Sequence, residues 1–145
     1  MIKGLFHTSI TVSNLESSIN FYRDILGLEL QFTRESSGEA LSKGLGVENA
    51  HLKIAMFKAG NDFLELIEYA MPKCAPKGLR PCDVGNMHVA FQVDDIEEVG
   101  RRLEKNGYRF NAPPRHITEG SMKGWIWAYF KDPDGAQLEA VELRD

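Results

Sequence analysis

Two histidines and two glutamates occupy matching places in two stretches of this chain. His7 opens the run His7-Thr-Ser-Ile-Thr-Val12, and His88 opens His88-Val-Ala-Phe-Gln-Val93. Glu65 lies in Leu64-Glu-Leu-Ile-Glu-Tyr69, and Glu139 lies in Leu138-Glu-Ala-Val-Glu-Leu143. Imidazole nitrogens and carboxylate oxygens are the donors a divalent transition metal takes, and a set of two of each suits Zn²⁺, Ni²⁺, Co²⁺, Mn²⁺ or Fe²⁺. Read singly, each residue has an ordinary alternative. A histidine at a strand start commonly hydrogen-bonds at a sheet end, and a glutamate in a strand commonly faces solvent. Glu68 and Glu142 repeat as faithfully as Glu65 and Glu139, so the repeat alone does not say which pair faces a site.

These residues need elements to hold them, and the sequence writes the same set twice. In the first part, Leu5 to Val12 reads as a strand that ends at Ser13-Asn14, a helix-capping pair. Leu15, Ile19, Tyr22 and Leu26 recur at helical spacing, and Gly27 stops the helix. Strands follow at Leu28–Thr33, His51–Phe57 and Phe63–Tyr69, with a polar loop over Ser36–Gly46 and a hairpin turn at Gly60-Asn61-Asp62. In the second part, Met87–Val93 is a strand, and Asp95 begins a helix with Glu98 three residues on, a capping box. Ile96, Val99 and Leu103 line one face of that helix, and Gly107 ends it. Tyr108–Asn111 starts a strand, and Trp125–Phe130 and Gln137–Leu143 flank the turn Asp132-Pro-Asp-Gly135.

The expected fold is therefore α+β, with two tandem βαβββ modules at residues 1–70 and 86–145 and a connector at 71–85. Strand alternation turns His7 and His88 away from the apolar face that packs on each helix, and Glu65 and Glu139 alternate with their apolar neighbours. If the two sheets form one cupped mixed sheet with the helices outside, the four side chains converge inside it.

Composition bounds the function. The chain has 145 residues, 43% hydrophobic and 26% charged, enough for a core without a disulfide framework. A net charge of −4 argues against a general nucleic-acid binder. No apolar run approaches the ~20 residues that span a bilayer, and the first residues lack a signal-peptide pattern, so the expected location is the cytoplasm. The two cysteines, Cys74 and Cys82, fit no metal-knuckle spacing and are expected to be free thiols in the connector.

The repeated units, the paired histidines and the Leu-Glu-Leu and Leu-Glu-Ala strands resemble the vicinal oxygen chelate superfamily, above all glyoxalase I and methylmalonyl-CoA epimerase. The run Asn14-Leu-Glu-Ser-Ser-Ile-Asn-Phe-Tyr-Arg-Asp-Ile-Leu-Gly27 resembles their opening motif, and Asp132-Pro-Asp-Gly135 followed by Glu139 resembles their ending. The resemblance covers roughly Gly4 to Leu143. It implies His7, Glu65, His88 and Glu139 as metal ligands, with Glu139 as catalytic base and Glu65 as its partner. Glu65 departs from the Gln that the epimerases commonly carry at the second ligand position, which favours the glyoxalase pattern.

The implied activity is that of a lactoylglutathione lyase-like lyase or isomerase. It transfers a proton next to a carbonyl through an enediolate held by one divalent metal, with glutathione as a possible co-substrate. The implied assembly is a homodimer acting on a small molecule. Two alternatives stay open. One is a methylmalonyl-CoA epimerase-like enzyme. The other is a metal-free binding or resistance protein whose cup is lined by Phe6, Phe57, Phe63, Trp125 and Trp127. Arg34, Arg115, His116, Lys123 and Trp125 lie at strand ends or in the loop before the seventh strand, where they can meet an anionic substrate. His51 shares a face with Lys53 and is expected to be an ordinary surface histidine.

Overall fold

A computed structural model describes residues 1–73 and 80–144. The chain divides into two compact units, Met1–Lys77 and Gly78–Asp145. Cys74 lies outside the described residues, and Cys82 is an exposed free thiol.

The first unit runs β1 (His7–Thr11), α1 (Leu15–Asn20), β2 (Glu29–Ser37), α2 (Glu39–Leu45), β3 (His51–Ala59) and β4 (Asp62–Met71), with a π-helical turn at Phe21–Ile25 extending α1. Its sheet has the order β1-β4-β3-β2; β1 runs parallel to β4 and the other neighbours are antiparallel. Asn14 caps α1, its side-chain oxygen accepting from the Ser17 amide at 2.8 Å. The single helix expected up to Leu26 changes register at Phe21. The Leu26 amide donates to the Phe21 carbonyl five residues back, which turns both Phe21 and Tyr22 into the core. Helix α1 packs on β3 and β4. Leu64 and Leu66 of β4 and Ala55 and Phe57 of β3 are fully buried on that helix-facing side.

Two corrections follow in this unit. The loop expected over Ser36–Gly46 contains the end of β2 and the whole of α2. Here Glu39, Ala40 and Leu41 favour helix, the Ser42 hydroxyl bonds back to the Gly38 carbonyl, and Gly46 closes the turn in a left-handed conformation at φ 67°. Phe57, expected to line a cup, is instead buried on the helix side with its ring 6.2 Å from that of Tyr22.

The second unit repeats the plan with β5 (Val89–Val93), α3 (Ile96–Lys105), β6 (Arg115–His116), β7 (Ile126–Lys131) and β8 (Gln137–Glu142). The strand order is β5-β8-β7-β6, with β5 parallel to β8. Asp95 caps α3 by accepting from the Glu98 amide at 2.9 Å, and Ile96 and Leu103 are its fully buried residues. The expected turn at Asp132–Gly135 forms. The Gly135 amide donates to the Asp132 carbonyl, and the buried Asp132 carboxylate accepts from the amides of Asp134 and Ala136. The strand expected at Tyr108–Asn111 shrinks to one bridge, Phe110 to Phe130. Pro113 and Pro114 have no amide to continue that ladder, so pairing resumes at Arg115.

Candidate metal-binding site

Glu65 and Glu68 are an odd number of residues apart, so β4 sends them to opposite faces. Glu68 shares its face with Leu64 and Leu66, where its Oε2 accepts from the buried Leu15 amide, the first of α1, at 2.8 Å. Lys53 and Lys73 approach its other oxygen at 3.6 and 3.7 Å. The Leu15 amide holds the Glu68 carboxyl below the usual carboxylate range; burial opposes this, and the two lysines add to it. Glu142 does the same for α3, accepting from the Ile96 amide at 2.9 Å, with Arg144 on its other oxygen at 2.6 Å. It too is held low, first by that amide and then by Arg144. The pair that the repeat left ambiguous thus serves the helix starts.

The other pair faces away from the helices. In the first unit, Ser9 of β1 stands opposite Glu65 of β4. His7 Nε2 lies 3.5 Å from Glu65 Oε2, and the Ser9 hydroxyl donates to the same oxygen at 2.5 Å. In the second unit, Glu139 of β8 is flanked by Ala90 of β5 and Tyr129 of β7. His88, one residue before β5, places its Nε2 3.1 Å from Glu139 Oε2. Burial, then the charge and side chain of the facing Glu139, push the Tyr129 phenol above its usual range.

Each glutamate thus has a hydroxyl-bearing residue beside it, on opposite sides. The first unit uses Ser9 where the second has Ala90, and the second uses Tyr129 where the first has Met56. Neither hydroxyl emerged from the sequence as a site residue. Ser9 was within reach, because it shares a strand face with His7. Tyr129 required the register of β7 on β8.

The donor chemistry fits a metal ion. Two ligands bonded to one ion at the usual zinc distances stand about 3.0–3.4 Å apart at octahedral and tetrahedral angles, and the two imidazole–carboxylate separations are close to that spacing. His7 with Glu65, and His88 with Glu139, are the residues that would hold it. Among the described residues no group of three or more His, Cys, Asp or Glu side chains comes together within reach of one ion.

The remaining candidates divide by face. Arg34 of β2 stands across from Ile54, which stands across from Ile67, so Arg34 shares the face of Glu65. Arg115 of β6 stands across from Trp127, which stands across from Val141, so it shares the face of Glu139. Lys123 and Trp125 lie in the β6–β7 loop, where the Lys123 amide donates to Gly120 and the Trp125 amide to Met122. His116 pairs with Ile126 beside them. His51 is drawn to Glu35 at 3.0 Å, and both Glu35 and Lys53 are in register with Glu68 on the helix side, away from Glu65.

Relatives agree with this architecture. The family model for the Glyoxalase/Bleomycin resistance protein/Dioxygenase superfamily matches residues 4–140, and the chain belongs to that family. A 2-epi-5-epi-valiolone epimerase from an Actinomyces species is 34% identical over 97% of this chain and 79% of its own length. A lactoylglutathione lyase from Salmonella typhimurium is 29% identical over 97% of this chain and 93% of its own. A glyoxalase family protein from Bacillus cereus shares the fold, with a TM-score of 0.83 at 22% identity over 98% of this chain and 95% of its own. No helix among the described residues is long and apolar enough to cross a membrane.

Proposed function

We propose that this chain is a metal-dependent lyase or isomerase of the glyoxalase I kind, with His7, Glu65, His88 and Glu139 as the ligands of one divalent transition metal. The observation that carries this reading is the doubled pair. In each unit an imidazole nitrogen and a carboxylate oxygen stand near the spacing of two metal donors, on the sheet face away from the helix. When bound, the ion supplies a Lewis acid that polarises neighbouring substrate oxygens and acidifies the hydrogen beside them.

Glu139 takes that proton and returns it to the adjacent carbon. It lies beside the half-buried rings of Tyr129 and Trp127, where a substrate can rest. Glu65, held by Ser9, is its partner. Arg34, Arg115, Lys123 and Trp125 contact the rest of the molecule. The substrate is a small oxo- or hydroxy-acid-like compound presented as a thiohemiacetal or thioester, with glutathione the first thiol to test. The working form is a homodimer in the cytoplasm.

A second reading is favoured by the 34% identity to a protein named as an epimerase. The same two carboxylates would then move a proton from one face of a carbon to the other, with Glu65 and Glu139 serving opposite faces. Metal-loaded protein supplied with methylglyoxal and glutathione separates the two. Formation of S-lactoylglutathione supports the lyase. Exchange of the substrate's α-hydrogen for deuterium from D2O on 2-hydroxyacyl thioesters, without net conversion, supports the epimerase. Neither product in the presence of bound metal would contradict both.

A further inference from the structure

On the face of the second sheet that carries Glu139, the strands align a cation and two rings. Tyr129 stands directly across from Glu139, Trp127 follows two residues away on the same strand, and Arg115 stands directly across from Trp127. The rings form a connected row. Those of His88 and Tyr129 are 5.3 Å apart, those of Tyr129 and Trp127 are 5.4 Å apart, and both contacts are edge-to-face. Arg115 is exposed and makes no ion pair among the described residues, whereas Arg23, Arg80, Arg101 and Arg144 each hold a carboxylate. The matching place in the first unit holds Arg34, but Ile54 and Met56 stand where the second unit has Trp127 and Tyr129. The first unit has Phe32 beside Arg34 on that face, but no aromatic on the neighbouring strand at either of those two positions.

We infer that Arg115 and Trp127 form a subsite for a small carboxylic acid with a flat, apolar body, the carboxylate on the guanidinium and the body against the indole. A guanidinium without a carboxylate of its own offers a fork of donors matched to an incoming one, and the neighbouring indole gives an apolar surface at low entropic cost. Arg115 lies two strands across and two residues along from Glu139, about 12 Å from backbone to backbone at ordinary sheet spacings. Both side chains reach into that interval, which leaves room for a short acid rather than a long cofactor. The inference rests on the proposed function only for its orientation, which points the far end of the acid toward His88 and Glu139.

The test uses metal-free protein, so that it stands apart from the metal question. The chain has two tryptophans, and Trp125→Phe leaves Trp127 as the reporter. Titration with phenylglyoxylate should change Trp127 fluorescence saturably. The methyl ester of the same acid should bind at least tenfold more weakly, as should phenylglyoxylate to Arg115→Gln. Arg101→Gln, on α3 and paired with Glu98, should match the parent. The same acid-to-ester and parent-to-Arg115→Gln ratios, measured with both tryptophans present, remove any dependence on the Trp125 substitution. Equal binding of acid and ester, unchanged binding by Arg115→Gln, or no saturable signal would overturn the inference. Failure here with metal bound by the parent protein would leave the proposed function intact. Success here without metal uptake would leave the subsite and remove the isomerase.

Discussion

Glu65 and Glu68 lie three residues apart on one strand, and exchanging each in turn separates the structural carboxylate from the site carboxylate. Glu68 accepts a 2.8 Å hydrogen bond from the buried Leu15 amide, which has no access to water if the carboxylate leaves. A hydrogen bond to a charged group contributes about 1.5–3 kcal/mol net and a neutral one about 0.5–1.5. Glu68→Gln keeps an acceptor but loses the charge, so it should cost about 1 kcal/mol. Glu68→Ala leaves the amide unpaired at the start of α1 and should cost about 2–3 kcal/mol. Glu65→Gln should stay within about 0.5 kcal/mol of the parent, because exposed Ser9 can turn its hydroxyl to water.

The assay is urea unfolding of chelator-treated protein, so that metal binding adds nothing to the native state. The midpoint should shift at constant m. Acid adds a second readout. Because the folded Glu68 titrates below its ordinary value of 4.5, its contribution is complete above that value and fades as pH falls toward the folded value. Glu68→Gln should therefore lose less stability than the parent between about pH 4.5 and the acid limit. Equal midpoints for Glu68→Ala and Glu65→Gln, or an unchanged acid slope, would refute the assignment of the two faces.

Ser9→Ala removes the hydroxyl that holds Glu65 and should weaken divalent-metal affinity by about tenfold with the circular dichroism spectrum unchanged, as measured by competition with a chromophoric chelator. Tyr129→Phe should weaken metal binding to a similar degree, about tenfold, by removing the hydroxyl beside Glu139. Gly124 sits at φ +96°, and a Cβ there would come within 2.7 Å of the Arg144 carbonyl oxygen. Gly124→Ala should therefore cost about 1–3 kcal/mol, seen as a fall of several degrees in Tm.

The twofold plan of this fold was legible because each βαβββ unit carries its own punctuation. Asn14 and Asp95 cap the helices as their types suggest, and Asp132–Gly135 forms the turn its Pro and Gly specify. Helix α2 was hidden because Gly38, Gly44 and Gly46 give its surroundings the look of a loop, while its stability depends on Ser42 bonding to Gly38 and Ala50. The π-helical turn was hidden because Phe21 and Tyr22 are adjacent, and only tertiary packing asks for both inside. In the site, strand parity turned His7 and His88 away from the helix-packing face, while the choice of Glu65 and Glu139 over Glu68 and Glu142 came from the family resemblance.

The functions of Glu68 and Glu142 did not follow, since a buried carboxylate in a strand says nothing of which helix start it meets. Parity did hold a clue, because Glu68 shares its face with Leu64 and Leu66, and Glu142 with Leu138 and Ala140. Phe57 shows the opposite failure, an aromatic assigned to a site when its register with Leu64 places it under α1.

The central claim is that the two imidazole–carboxylate pairs hold one divalent metal. Elemental analysis of untagged protein, purified without added metal and then incubated in turn with Zn²⁺, Ni²⁺, Co²⁺, Mn²⁺ and Fe²⁺, tests it directly alongside the His7→Ala/His88→Ala double variant. The account predicts near-stoichiometric metal in the parent and none in the folded double variant. A parent that takes up none of the five ions, or a double variant that binds them as the parent does, would contradict it.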